Sequence, residues 1–264
     1  GGMLDQILER LADFLEKMDR LKKKIISSMT YPVSVIIIAG GIITGIMIFI
    51  IPNFVTMFED MEIGGGLPMM TQIVVNLSNM MVKYWYLLMG IPFGLFFIRK
   101  LLIKIKKIKY IMDRLSFKIP IFGKIINKAT ISGFSRTLAT LSNAGVPILE
   151  ALTNTKDATN NEVLIKAIND IYDSVREGGT IGDPLRKAKV ADEIVINMVE
   201  VGEETGELDK MLVKVSDNLD AEVDATVEAM TSLIEPLLIV FLGGAIGFIV
   251  IAMFMPMIKL MQSM

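Results

Sequence analysis

Apolar and polar positions along this chain fall into two regimes. From Ile25 to Phe58 no residue is charged, and the 20 residues from Pro32 to Pro52 correspond to roughly 30 Å of helix, the thickness of a bilayer's hydrocarbon core. The step from Pro236 to Pro256 has the same length and character. Met80 to Ile98 is a third, weaker candidate. Lys83 is near enough to one end to snorkel, and Tyr84, Trp85 and Tyr86 are placed as an interfacial belt. Between the second and third apolar stretches the pattern changes to amphipathic helices joined by short turns. Lys128 to Asn143 carries Ile131, Phe134, Leu138 and Leu141 at helical spacing and stops at Gly145, with Val146-Pro147 opening a helix that runs from Leu149 to Ala158. Asn160-Asn161 cap a helix with Val163, Leu164, Ala167, Ile168, Ile171 and Val175 on one face, ended by Gly178-Gly179. A short piece follows near Pro184–Ala188. Ile194, Met198 and Val201 then mark a helix broken at Gly202 and Gly206, and a last helix starts at Leu208 and heads for the membrane through Pro236, where a kink is expected. No alternating strand pattern occurs.

The chain also repeats itself. Residues 4–54 and 208–258 align without a gap at an offset of 204: Leu4-Asp5, Leu8, Asp13 and Leu15 recur as Leu208-Asp209, Leu212, Asp217 and Leu219. Ser28, Pro32, Gly40 and Pro52 recur as Ser232, Pro236, Gly244 and Pro256. Self-similarity on this scale identifies a duplicated structural unit. Because only the second copy has some eighty residues of its own domain before it, the first reads as lacking the front half of its unit, and Gly1-Gly2 reads as an appended pair.

Composition agrees with a membrane class: 52% of residues are hydrophobic, 21% are charged, and the mean hydropathy is +0.55. Charge distribution orients the spans. Lys17, Arg20, Lys22, Lys23 and Lys24 precede the first, and Arg99, Lys100, Lys104, Lys106, Lys107 and Lys109 follow the second; the loop between them carries Glu59, Asp60 and Glu62 and no Lys or Arg before Lys83. By the positive-inside rule the N-terminus and residues 99–234 are cytoplasmic, while the loop and the short C-terminal tail are external. The expected fold is therefore all-α: a polytopic membrane protein with three transmembrane helices, a cytoplasmic helical bundle and an internal repeat. Its order is a first-repeat helix remnant (1–29), a span (30–55), an external loop (56–79), a span (80–98), a basic juxtamembrane segment (99–116), the bundle (117–234), a span (235–256) and an external tail (257–264).

Several short motifs carry a resemblance. Phe134-Ser135-Arg136-Thr137-Leu138, Leu141-Ser142-Asn143-Ala144-Gly145-Val146-Pro147, Val201-Gly202-Glu203-Glu204-Thr205-Gly206-Glu207-Leu208, Glu222-Val223-Asp224 and Glu235-Pro236 resemble the signature of the GspF/PilC family. These are inner-membrane platform proteins of type II secretion and type IV pilus machines. Tyr31-Pro32, Pro52 and Leu67-Pro68 with Thr71 resemble the tail of that family's first repeat, and Asn218-Leu219 departs from an expected aromatic pair. The resemblance implies a non-enzymatic scaffold without cofactor, coupling a cytoplasmic hexameric assembly ATPase to insertion or extraction of pilin or pseudopilin. Its implied partners are that ATPase, other inner-membrane machine components and further copies of itself.

The residue inventory is consistent with a scaffold. His and Cys are both absent, so no Ser-His or Cys-His nucleophile pair and no thiolate metal site can be built. No Gly-x-x-x-x-Gly-Lys-Ser/Thr run is present to cradle a nucleotide's phosphates. Arg99 to Lys128 holds ten Lys or Arg against the single acid Asp113, a run that reads as contact with anionic lipid headgroups rather than with nucleic acid. Asp192 to Glu228 holds twelve acids against Lys210 and Lys214. Two readings stay open for the acidic turn, including Glu203, Glu204, Glu207 and Asp209: a solvated face with carboxylates at a helix N-terminus, or a docking surface for a basic partner. Arg136, on a largely apolar face, is expected to pair internally with an acid of the 200–207 segment. Glu235, at the membrane edge, is either an interfacial residue or a contact to a neighbouring subunit or pilin. Gly41/Gly45, Gly90/Gly94 and Gly243/Gly247 each permit close helix approach, within one subunit or between copies. A polytopic transporter and a membrane-anchored signalling adaptor are the alternatives. The spans' lack of ionisable residues apart from Lys83 weighs against the first, and the repeat is unexplained by the second.

Overall fold

A computed structural model describes residues 2–59 and 67–263. The elements are all helical among the described residues: α1 (Gly2–Gly45), a π-helical turn (Ile46–Ile50), α2 (Ile51–Glu59), α3 (Met69–Lys83), α4 (Trp85–Leu102), α5 (Lys106–Ser116), α6 (Phe122–Asn143), α7 (Ile148–Ala158), α8 (Glu162–Arg176), α9 (Gly182–Ala188), α10 (Glu193–Thr205) and α11 (Leu208–Ser263). They form two compact units. The first comprises Gly1–Ser28 and Leu101–Met230, and the second Met29–Lys100 and Thr231–Met264.

The first unit has the core of a soluble bundle. Ile131, Phe134 and Leu138 of α6 pack with Ala151 and Leu152 of α7, Leu164, Ile168 and Ile171 of α8, Leu185 of α9, Val199 of α10, and Leu212, Val215 and Leu219 of α11. These positions recur every three or four residues, so each helix buries one stripe. The turns follow the punctuation in the sequence. Asn161 accepts hydrogen bonds from the amides of Val163 and Leu164 and so caps α8. Gly145 after α6 and Gly206 after α10 both take the left-handed conformation, at φ +77° and +73°, which closes a helix at little cost only for glycine. α5 is fixed to the start of α8: the Asp113 carboxylate accepts from the Glu162 amide at 2.8 Å, and Lys109 reaches the Glu162 carboxylate at 3.7 Å.

Of the three residues that mark α10 in the sequence, only Met198 packs against the core. Val195, Ile196, Val199 and Gly202 are buried, whereas Ile194 and Val201 point outward at 71% and 45% exposure. An almost continuous apolar run leaves the buried side ambiguous, and packing decides it: a methyl on Gly202 would press against Leu208 and Met211 of α11.

The second unit is built differently. Its buried cluster is small, consisting of Met47, Ile51, Val74, Ile249 and Ala252, while side chains such as Ile37, Phe49, Phe93, Val240 and Phe241 are more than 60% exposed. Apolar helices that leave most of their surface uncovered by protein are suited to a lipid environment. Two helices, Lys23–Met57 and Leu208–Ile258, are long and apolar enough to cross a membrane. The predicted second span, 80–98, straddles a break: α3 ends at Lys83, Tyr84 leaves helical geometry (φ −115°, ψ 23°), and α4 begins at Trp85. The predicted loop 56–79 is helical at both ends, in α2 and α3, and its acids Asp60 and Glu62 lie outside the described residues.

Candidate functional site

The acidic turn between α10 and α11 divides into structural and free carboxylates. Glu203 is half-buried and points back across the turn, accepting from the amides of Ile181 at 2.7 Å and Gly182 at 3.2 Å. α9 begins there with no cap of its own, so Glu203 supplies the acceptor that its first amides need. Glu200 and Glu193 are both drawn to Arg186, at 2.9 and 2.7 Å. Glu207 is exposed and bonded to Lys210 at 2.6 Å; that hydrogen bond holds its carboxyl below the usual carboxylate range. Asp209 is half-buried in the first turn of α11, where a negative charge favours the helix. Glu204 is exposed and makes no ion pair among the described residues. It shares the outward face of α10 with Ile194, Asn197 and Val201, all of them exposed.

Arg136 does pair internally, but its partners are on a different segment from the one expected. Its guanidinium, 8% exposed, reaches Asp217 at 3.0 Å and Asp220 at 2.5 Å on α11. Of the 200–207 acids, Glu200 and Glu203 serve α9, Glu207 pairs with Lys210, and Glu204 is on the exposed face of α10. Asp220 also accepts from the Ser132 hydroxyl at 2.5 Å, and Lys128 pairs with Glu222. A polar seam thus follows positions 128, 132 and 136 of α6, one per turn, against 217, 220 and 222 of α11. Lys24 extends the pairing to Asp224 at 2.9 Å and Glu228 at 3.2 Å. Most of the acidic run is therefore consumed by internal contacts.

The remaining predicted positions lie in the second unit. Glu235 is exposed beside Pro236. A methyl group added at Gly41, Gly45, Gly90, Gly94, Gly243 or Gly247 would meet nothing within 4 Å. Each of these glycines therefore leaves an open face on its helix among the described residues. Sequence reasoning missed two groups: the outward Ile194 and Val201, and the buried hydroxyls of Thr71 and Ser78 on α3. For the second, the available signal was Thr71 and Ser78 sharing a face with Val74 at helical spacing.

An all-helical membrane protein is thereby defined, with lipid-suited helices in one unit and a polar-seamed bundle in the other. The model of the family described as "Type II secretion system (T2SS), protein F" matches residues 1–52 and 134–256, and the chain belongs to that family. It is 38% identical over 260 residues to the type IV pilus assembly protein PilC of Myxococcus xanthus, covering 98% of this chain and 62% of that relative. It is 36% identical over 261 residues to PilC of Pseudomonas aeruginosa, covering 98% and 69%. Against the type II secretion system protein F of Vibrio cholerae it is 31% identical over 266 residues, covering 100% and 64%. The chain spans about two thirds of the length of these relatives.

Proposed function

We propose that this chain is part of the inner-membrane platform of a type IV pilus or type II secretion machine, acting without catalysis or cofactor. The carrying observation is similarity over nearly the whole chain to relatives named for pilus assembly and type II secretion. In this reading α1 crosses the membrane first and α11 last. α4, 18 residues or about 27 Å long, supplies a third span. The lysine-rich flanks hold the N-terminus and residues 99–234 in the cytoplasm, and the C-terminus is external. The repeat is supported by the two segments that the family model matches, which end at Pro52 and Pro256, equivalent positions in the two copies.

The bundle would receive motion from a cytoplasmic hexameric ATPase and pass it to pilin or pseudopilin subunits moving between membrane and fibre. Its docking face is the outward side of α10, where Glu204 offers an exposed carboxylate without an ion pair among the described residues and Ile194 and Val201 flank it with exposed apolar surface. A central apolar contact with a charge to steer the encounter is the usual composition of such a patch. The open glycine faces at Gly41/Gly45, Gly90/Gly94 and Gly243/Gly247 favour self-association, and Glu235 is a contact to a neighbouring subunit or pilin.

The test replaces Val201 and Glu204 with lysine in the full-length protein in its native cell. Both side chains are exposed, so accumulation in the membrane should be unchanged, while co-purification of the ATPase and fibre assembly should be lost. Undiminished assembly would remove α10 as the docking face. Purification of the unsubstituted protein from native membranes without any pilus or secretion component would overturn the platform reading itself.

A further inference from the structure

Proline inside a helix leaves a carbonyl one turn earlier without its donor, because the ring has no N–H to give. In α11 the residue so affected by Pro256 is Ala252, four positions back. Ala252 is fully buried, and its carbonyl accepts a hydrogen bond at 2.6 Å from the hydroxyl of Thr71 on α3. The same event occurs at the other proline. Across the π-helical turn, the Ile51 amide bonds to the carbonyl of Ile46, five residues back; at that spacing the donor due to the next carbonyl, that of Met47, would be residue 52, a proline with no N–H. Met47 is 2% exposed, and its carbonyl accepts from the hydroxyl of Ser78, also on α3.

Three features separate this from chance contact. Thr71 and Ser78 are seven residues apart, two helical turns, and both are buried on the α3 face that also buries Val74. Elsewhere in this chain threonine hydroxyls follow the ordinary habit of bonding to their own helix one turn back, as Thr137 does to Gly133, Thr140 to Arg136, Thr153 to Leu149 and Thr155 to Ala151. Thr71 and Ser78 instead reach another helix. Each finds there a carbonyl that a proline has left bare, and the two prolines occupy equivalent places in the sequence repeat, 204 residues apart.

We infer that α3 is a clasp, with Thr71 and Ser78 as positioning residues whose hydroxyls replace the two N–H groups that Pro256 and Pro52 lack. In hydrocarbon an unpaired carbonyl has no water to turn to, so each bared carbonyl stays satisfied only while α3 remains in place. The two proline-bearing segments are thereby joined through one element, and neither can slide along α3 alone without stripping a carbonyl of its donor. This inference is independent of the platform reading, since it concerns contacts within one chain.

The test is a pair of double-mutant cycles on the detergent-purified full chain, read as thermal midpoint. Thr71→Val should lower the midpoint by about 2–4 °C in the proline-containing chain. In a Pro256→Ala background, where residue 256 again donates to Ala252, the same replacement should shift it by less than about 1 °C. Ser78→Ala should follow the same pattern, with a loss of about 2–4 °C when Pro52 is present and less than about 1 °C in a Pro52→Ala background. Thr71→Ser keeps the hydroxyl and should match the original chain. If Thr71→Val does not accumulate at all, Pro256→Ala should restore it. Equal losses in both backgrounds, a Thr71→Ser loss as large as that of Thr71→Val, or failure of Pro256→Ala to restore accumulation would each overturn the clasp.

Discussion

Glu203 and Glu204 are neighbours in sequence and opposites in role, which makes their separate removal a sharp test. Glu203→Ala deletes the acceptor for two amides at the start of α9, at 2.7 and 3.2 Å, where Ile181 and Gly182 are both buried. Hydrogen bonds donated to a charged acceptor are worth about 1.5–3 kcal/mol, and buried amides left unpaired lose a similar amount. Because Glu203 is only half-buried, water reaches part of the site, so about 2 kcal/mol is the expected loss. For a cooperative unit of this size that lowers the thermal midpoint by about 4–8 °C. Glu204→Ala, an exposed change with no ion pair to break, should stay within about 0.5 kcal/mol of the original. The assay is thermal unfolding of the purified full chain by circular dichroism, with limited proteolysis of the 181–190 segment as a local readout. An unshifted Glu203→Ala midpoint would show that the cap contributes nothing. An equal drop for both variants would refute the division of the turn into structural and free acids.

Two further outcomes are expected. Because Cys is absent, Gly65→Cys and Glu177→Cys report topology with an impermeant thiol reagent: residue 65 should label on intact cells and residue 177 only after lysis, and the reverse pattern would invert the orientation. Glu177 is chosen because it is exposed, whereas a position such as Ser132 is buried against Asp220 and would label on neither side. Glu207, with its carboxyl held low by Lys210, adds stability that is present above the ordinary glutamate value of about pH 4.3 and is lost as pH falls below it; Lys210→Met should move its titration upward, as followed by carboxylate infrared bands.

Local signals in the sequence were read most securely where one residue type has one conformational use. Gly145, Asn161 and Gly206 end or begin helices as their chemistry dictates, and the apolar stripes of α6 and α8 became core. Interactions between elements were less legible. Arg136 announced itself as an internally paired cation, but choosing Asp217 and Asp220 required knowing the register of α11 against α6. That register is a property of the packed helices and is not written in sequence distance. Glu203 looked like any acid in a charged turn, because its two amides are more than twenty residues upstream. The break at Tyr84 was hidden by treating the 80–98 stretch as one span, although a lysine followed by three aromatic residues was present at the junction.

The seam between α6 and α11 has a consequence for how the chain finds its fold. α11 offers a long series of apolar residues that would pack tolerably in more than one alignment. Slipping it by one turn would set either Val213 and Ser216 or Ala221 and Asp224 opposite Arg136, in place of Asp217 and Asp220. The first alignment strands a buried guanidinium with no counter-charge, and the second leaves it one carboxylate where the native register supplies two. The ion pair thus acts as a proofreading device during folding, rejecting misaligned helices that hydrophobic burial alone would accept.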